Sequence, residues 1–413
     1  MKNAEFYLYI YEPNFKGNHM KILVINSGSS SIKFQLFNMP QQEVLASGLV
    51  EKIGIDNGEI HYKTKSKSIS ITMQIPDHAV GLKEIVNLLM SSASGVISNV
   101  EEIEMVGHRV VHGGIEFLDT VEINQDVIDR IKSLFSLAPL HNPPNHIGIV
   151  VAQEIFPKAR QIAVFDTTFH QSMPEKAYTY AIPLFYRDEH NIRAYGFHGI
   201  SHEYVSQKAI EYLHNPKAKI IVIHLGNGCS MTAIQNGKSI DHSLGFGPNQ
   251  GLIMGTRSGD IDQAVIFHLM EKFNLGSHEV SDILSKKSGM LGLTGHSDLR
   301  SIEENALKGD EKSQLALELS AYRAKKYIGA YTAALNGLDA IAFTAGIGEN
   351  SDVMREKICE DMDFFGIKLD SNKNKLRSKE IREISTEFSK TKVLVIPTNE
   401  ELQIAKECYS FDI

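Results

Sequence analysis

The chain has 413 residues, too many for one ordinary hydrophobic core, so two domains of roughly 150 to 220 residues each are expected. Apolar residues make up 42 % and charged residues 22 %, a globular balance, and the net charge of −8, from 42 basic and 50 acidic side chains, argues against nucleic acid or an anionic membrane as main partner. The three cysteines, Cys229, Cys359 and Cys408, lie far apart with no C-x-x-C pair, which excludes a disulfide framework or zinc site and fits a reducing cytosol.

Residues 1–19, MKNAEFYLYIYEPNFKGNH, carry acids at Glu5 and Glu12 around a short apolar stretch and lack the cleavage site of a secretory signal. A disordered extension, or the product of an upstream start codon, is expected there, with the readable chain starting at Met20. Apolar runs such as KIIVIHL (219–225) fall well short of the roughly 18 to 20 residues that span a bilayer.

VINSGSSSIKF (24–34) predicts a strand, a Gly/Ser turn and a second strand. Such a turn points several backbone N–H groups and hydroxyls toward one place, as a phosphate requires, and Lys33 adds a charge. Glycine and serine also make ordinary turns, so the motif alone leaves both readings open. EMVGHRVVHGG (104–114) predicts a strand ending in a glycine turn and carrying Arg109, and RQIAVFDTTFH (160–170) a buried strand with Asp166 at its carboxyl end. His141, in APLHNPPN, sits in a proline-rich turn that it either serves or merely shapes. His198, in YGFHGISH, has Phe197 and Gly199 to hold it in a restricted pocket, and a helix is predicted over 202–214.

VIHLGNGCSMTAI, from 222, repeats the first turn: both begin Val-Ile and both place a glycine four residues after that valine, Gly28 and Gly226. Duplication explains the echo, with chance likeness of two hairpins as the alternative. NGKS (236–239) predicts an Asn-Gly hairpin turn. GLIMGTRSGDID (251–262) sets Arg257 between glycines, in a loop mobile enough to meet an incoming anion, with Asp260 or Asp262 as cap of the next helix. Taken singly, either arginine reads equally well as solvated or salt-bridged. A long helix over 313–335 is stopped by Asn336 and Gly337 in a left-handed cap. FTAGIGENSD (343–352) runs a buried strand into two glycines, with Glu349, Asn350 and Ser351 as caps for the helix after it, a place for a nucleotide or a plain connection. Glu400, in VIPTNEEL, enters a last helix; with Asp166 it is a candidate for a magnesium ion, or it is a cap. Strands alternating with helices make the chain α/β.

Read together, INSGSSSIKF, GHRVVHGG, APLHNPPN, FDTTFHQSMP, YGFHGISH, HLGNGCS, MGTRSGDID, TAGIGEN and PTNEE resemble the acetate kinase family, in that order and from residue 20 almost to the end. The resemblance implies a two-lobed, duplicated actin-like/ribonuclease H-like α/β fold with the active site in the interdomain cleft. Its N-terminal domain would be 20–168, and 169–400 a C-terminal domain with nucleotide site and dimer interface. A terminal helix, about 401–413, would pack back on the first domain. The activity implied is reversible transfer of the ATP γ-phosphoryl group to acetate, giving acetyl phosphate and ADP, with Mg²⁺ or Mn²⁺, by a cytoplasmic homodimer.

Carried over residue by residue, the resemblance puts Asn26, Ser29, Ser30, Ser31 and Lys33 at the phosphates, and Arg109 and Arg257 at the carboxylate and the phosphoryl in flight. His198 steadies the transition state with His141 also in the catalytic set, Asp166 serves metal and orientation, and Asn26 and Glu400 hold the metal. His224, Gly226, Asn227 and Gly228 grip the nucleotide's phosphates; Gly346, Ile347, Gly348 and Asn350, with Asp298, Leu299 and Arg300, take the adenosine. Val111, Leu140, Phe197 and Pro248 enclose the acid's methyl end. One methylene in such a pocket changes preference by only about 1 to 3 kcal/mol, so a propionate or butyrate kinase, or a pyrophosphate-using relative, is the alternative. A nucleotide-gated switch is the alternative from another class; it calls for a partner-binding domain for which 413 residues leave no space. The chain departs from the family pattern at Asp241-His242-Ser243, at Gly247-Pro248-Asn249-Gln250-Gly251, and at Ala194, where an arginine is usual.

Overall fold

The structure, a computed structural model, describes residues 19–411, so the extension expected at the amino terminus lies, but for His19, outside the described residues. Two compact units divide the chain. The first holds the chain up to His108, Ile147–Ile162 and the end from Ile404; the second holds Arg109–His146 and Ala163–Gln403.

In the first unit, β1 (Met20–Ser27), β2 (Ser31–Met39), β3 (Glu43–Glu51), β4 (Gly58–Thr64) and β5 (Ser68–Met73) form an antiparallel meander. Aliphatic β1 is buried on both faces, whereas β5 alternates exposed and half-buried residues, as an edge strand does. β6 (Ile103–Val110) runs parallel to β1, and β7 (Val121–Glu122) and β8 (Arg160–Phe165) complete the order β5-β4-β3-β2-β1-β6-β8-β7. The last helix, Glu400–Ser410, brings Ile404 and Cys408 over Gly107, where a Cβ would lie 2.6 Å from Cys408 Sγ. Only glycine allows that approach.

The second unit repeats the plan. β9 (Lys219–Leu225), β10 (Cys229–Gln235) and β11 (Lys238–His242) are antiparallel neighbours; β12 (Ala340–Thr344) lies parallel to β9 and to β14 (Lys392–Val395), with β13 (Arg382–Glu383) at the edge. The order β11-β10-β9-β12-β14 matches β3-β2-β1-β6-β8 strand for strand, and in both units the first strand is antiparallel to the second and parallel to the fourth. The echo between Gly28 and Gly226 is therefore an echo of topology. Asn236 and Gly237, at φ 55° and 72°, make the tight turn between β10 and β11.

Helix Glu311–Leu335 starts at Asp310, whose side chain accepts from Ser313 N–H, and ends at Asn336 with φ 52°. It presents Ala316, Leu317, Ala321, Ala324 and Ile328 to the core of this unit, with Ile221, Ile223 and Phe343 of the sheet. Asp262 caps helix Gln263–Phe273; Asp260 is taken by other partners. Among the described residues no helix is long and apolar enough to cross a membrane.

Candidate active site

The chain leaves β6 at Arg109 and β8 at Asp166, which pairs their side chains side by side. Arg109 Nε and Nη2 donate to Asp166 Oδ1 and Oδ2 at 3.0 and 2.5 Å, a two-pronged ion pair with the arginine side chain 19 % exposed and the aspartate 2 %. Burial opposes the guanidinium charge, but Asp166, Glu400 and Glu401 outweigh it and raise the arginine above its ordinary value. The Asp166 main chain is fixed too: its N–H donates to Val110 O, and its carbonyl accepts from Gly199 N–H at 2.8 Å. Gly199 is the first residue of helix Gly199–Leu213, whose start is thereby pinned beside the ion pair.

His198 precedes that helix in a left-handed conformation, φ 56°, and so stands off the helix axis. Its Nδ1 lies 2.9 Å from Ser230 Oγ, which also meets His202 Nε2 at 2.7 Å. The His198 ring stacks on His224, centroids 4.4 Å apart, and His224 Nδ1 meets Ser201 Oγ at 2.9 Å. Burial first, then His224, Arg109 and Arg257, push His198 well below the ordinary histidine value; burial and Arg109 push His224 to about 4. Both rings are neutral near pH 7. His141 is lowered by burial and by the same two arginines, with Asp166 acting the other way.

Arg257 does not swing on a loose loop. Met254 N–H donates to Arg257 O, Gly255 N–H to Asn227 O, and Ser258 N–H to Leu284 O. Asp260 accepts from Gly251 N–H and from Tyr327 Oη, both at 2.8 Å, which ties the loop to the long helix. The guanidinium Nη1 donates to Pro248 O at 3.1 Å. Gly228 backs on both groups: a Cβ there would lie 3.4 Å from His198 Nε2 and 3.8 Å from Arg257 Nη1.

Comparison with known proteins identifies the family. The sequence profile of the Acetokinase family matches residues 21–406. The chain belongs to the acetokinase family. It is 57 % identical over 390 residues to an acetate kinase of Flavobacterium johnsoniae, covering 94 % of this chain and 99 % of that one, and 51 % identical to an acetate kinase of Carboxydothermus hydrogenoformans, covering 94 % and 98 %. Among solved structures, an acetate kinase of Porphyromonas gingivalis superposes with a TM-score of 0.90 at 45 % identity, covering 95 % of this chain and all of that one. A propionate kinase of Francisella tularensis superposes with 0.89 at 42 % identity, covering 94 % and 98 %. Likeness of this order bears out the two-lobed α/β family fold.

The nucleotide-site positions singled out by the family resemblance fall into three groups. Gly226, Leu299 and Ile347 line one cavity of the second unit together with Cys229, Met254 and Met354. Asp298 caps helix Leu299–Leu307 and pairs with the exposed Arg300 at 2.6 Å. Gly346, Gly348 and Asn350 lie in a helical turn, Ala345–Asn350, where the sequence predicted a glycine loop. The turn follows from the left-handed Ala345, φ 65°, which bends the chain directly into a helix; Asn350 Nδ2 then donates to Gly346 O at 2.9 Å.

Of the acid-pocket positions, Phe197 is in the core, Val111 packs on its edge, Pro248 is half-buried and Leu140 is 61 % exposed. Glu400 opens the last helix, whose Leu402 N–H is capped by Asn399. In the first unit, Asn26 stands opposite Lys33 across β1 and β2, and Ser29 and Ser30 are exposed at the turn, where Gly28 O accepts from His78 Nε2–H at 2.7 Å. Ser230, Ser201 and His202, which order the two stacked histidines, were not singled out from sequence. Only the motif spelling GISH, one helical turn after His198, signals His202.

Proposed function

We propose that the chain transfers the γ-phosphoryl group of ATP to acetate, reversibly, giving acetyl phosphate and ADP. The observation that carries this reading is the electrostatic convergence of Arg109, Arg257, His141 and His198 in one unit of an acetokinase-family chain. A carboxylate is a competent nucleophile at neutral pH and needs no general base; the obstacle is bringing one anion onto another. A carboxylate oxygen attacks the γ-phosphorus in line while the bond to the β–γ bridging oxygen breaks, and ADP leaves with that electron pair. Arg109 and Arg257 offset the charge on the acid and on the group in flight. His202 Nδ1 has no hydrogen-bond partner, so we place the His202 proton on Nε2, toward Ser230 Oγ, and the Ser230 proton toward His198 Nδ1; neutral His198 then carries its proton on Nε2 and offers it to the phosphoryl oxygens.

Among the described residues no three acidic or histidine side chains converge to hold a metal by themselves. Such a donor set fits Mg²⁺ brought in on the nucleotide's phosphates, which keeps most of its water and needs one or two protein oxygens. We assign Glu400, the first residue of the last helix, to that task. Bound there, the ion would offset phosphate charge.

A second copy of this chain is our assignment for the apolar side chains that two helices of the second unit leave exposed. Helix Gln263–Phe273 buries none of its residues and exposes Val265, Phe267 and Phe273, and the long helix exposes Leu315, Leu319 and Tyr322 at helical spacing. Neighbouring turns of one face that stay apolar and uncovered mark an interaction surface. Light scattering is expected to give twice 46.0 kDa for the wild type and the single mass for Phe267→Glu with Leu319→Glu; a monomeric wild type would remove the assignment.

The activity is tested by offering acetate, propionate or butyrate with Mg²⁺ and either ATP or pyrophosphate, trapping acyl phosphate with hydroxylamine. Hydroxamate is expected with ATP, with the highest kcat/KM on acetate. A higher value on propionate would reassign the acid, the second reading that likeness to the Francisella tularensis propionate kinase supports. No hydroxamate from any pair would sink the kinase reading.

A further inference from the structure

Phe197, the residue before His198, has both of its backbone polar groups held by imidazoles. Its N–H donates to His242 Nε2 at 3.1 Å, and its carbonyl accepts from His170 Nε2–H at 3.0 Å. Those partners fix both tautomers, because an amide N–H only donates and a carbonyl only accepts. His242 therefore carries its proton on Nδ1 and gives it to Thr232 Oγ1 at 2.7 Å, whereas His170 Nδ1 accepts from Ser239 Oγ–H at 2.9 Å. The two rings lie 4.0 Å apart, both buried. Every ring nitrogen of the pair has a partner.

Gly196 makes room for the pair. At φ 76°, a Cβ on it would sit 2.7 Å from His170 Cγ and 3.0 Å from His242 Cδ2. Two residues later His198 is left-handed, φ 56°, a conformation unfavourable for a non-glycine residue that persists only where the surroundings over-determine it. Helix Gly199–Leu213 fixes the chain after His198, and the two imidazoles fix the peptide before it. Burial, reinforced by neighbouring imidazoles, holds His242 well below its ordinary value, and burial, against the hydrogen bond to Phe197 O, holds His170 at about 4, so near pH 7 the His242 acceptor is intact.

We propose that His170 and His242 are positioning residues: they clamp the Phe197 peptide and so aim His198 at the reacting phosphoryl group. This rests on the reading of His198 as a transition-state donor. It also gives a task to His242, which lies in one of the stretches where the chain departs from the family pattern.

The test pairs His242→Leu, which removes the acceptor, with His242→Gln, whose side-chain oxygen restores one. His242→Leu is expected to lower kcat roughly tenfold to a hundredfold, the scale of a misplaced catalytic group, with KM for ATP and acid nearly unchanged; His242→Gln recovers most of it. Amide hydrogen exchange at Phe197 is expected to quicken in the first variant and not in the second. A filler role would lower the melting temperature of both variants and leave kcat per folded molecule alone, which overturns the proposal. Where His242→Leu does not fold, Thr232→Val releases the Nδ1–H at constant shape, and an unchanged kcat there also overturns it. His198→Ala is run in parallel. If it loses kcat while His242→Leu stays within about twofold of wild type, only the clamp fails; if it keeps kcat, the donor role falls and the clamp with it, a distinction of transition-state effects.

Discussion

Arg257→Ala is expected to lower kcat about a hundredfold or more, the cost of removing one preorganised partner for transition-state charge. The structure gives two reasons to expect the upper part of that range. The guanidinium is anchored before substrate arrives, by Pro248 O and by a loop fastened to Asn227, Leu284 and Tyr327, so little reorganisation is left for the moment of reaction. It is also mostly buried, where burial depresses its charge affinity but leaves an arginine ionised, and there each interaction is stronger than in water. The loss should fall on kcat and on kcat/KM alike, as for a contact made mainly in the transition state. Arg257→Lys keeps the charge but not the planar fork that meets Pro248 O and an anion together, and is expected in between. Lys158→Ala, at an exposed pair with Glu101, is expected to leave turnover unchanged. Near-normal turnover in Arg257→Ala would refute its role.

That prediction leans on contacts which sequence reading reached only in part. The hairpins were legible because their signals are local: aliphatic runs on either side of Gly28 and Gly226, and Asn236-Gly237, which fits a turn needing two left-handed residues. The end of the long helix was legible for the same reason, since Asn336 tolerates the left-handed cap. Where tertiary context decides, local reasoning fell short. The helix after His198 starts at Gly199, three residues before the predicted start, because Gly199 N–H is held by Asp166 O, a residue far back in the chain. The loop of Arg257 was expected to be mobile from its glycines; Asp260 and Tyr327, 67 residues apart, tie it down. Gly251 and Gly259 there serve close packing, since a Cβ on either would run into backbone carbonyls. His170, His198, His202 and His242 assemble around Ser230 and the Phe197 peptide, and no spacing in the sequence announces that.

The second large effect is expected at the Arg109–Asp166 pair. Asp166→Asn preserves shape and leaves a largely buried guanidinium without its two-pronged partner, a change that typically costs about 3 to 5 kcal/mol. The lower part of that range is expected here, because Glu400 and Glu401 still attract Arg109 and its side chain keeps 19 % exposure. Urea denaturation of wild type, Asp166→Asn, Arg109→Gln and the double variant measures the coupling. Removing both charges abolishes the unpaired group, so the double variant is expected to be more stable than the sum of the single losses implies, by about 2 kcal/mol or more. Strict additivity would mean that the pair is no more than a surface ion pair, worth about 0 to 1 kcal/mol, and that burial has been misjudged. Kinetics separate structure from chemistry in the same set. Arg109→Gln and the double variant both lack the charge proposed to meet the substrate, so both are expected to stay slow however much stability the double variant regains; Asp166→Asn keeps the charge but lets it move. An intermediate kcat for Asp166→Asn is thus the expected signature of an aspartate that aims the arginine. A kcat as low as that of Arg109→Gln would instead give Asp166 a direct part in the reaction, beyond holding its partner.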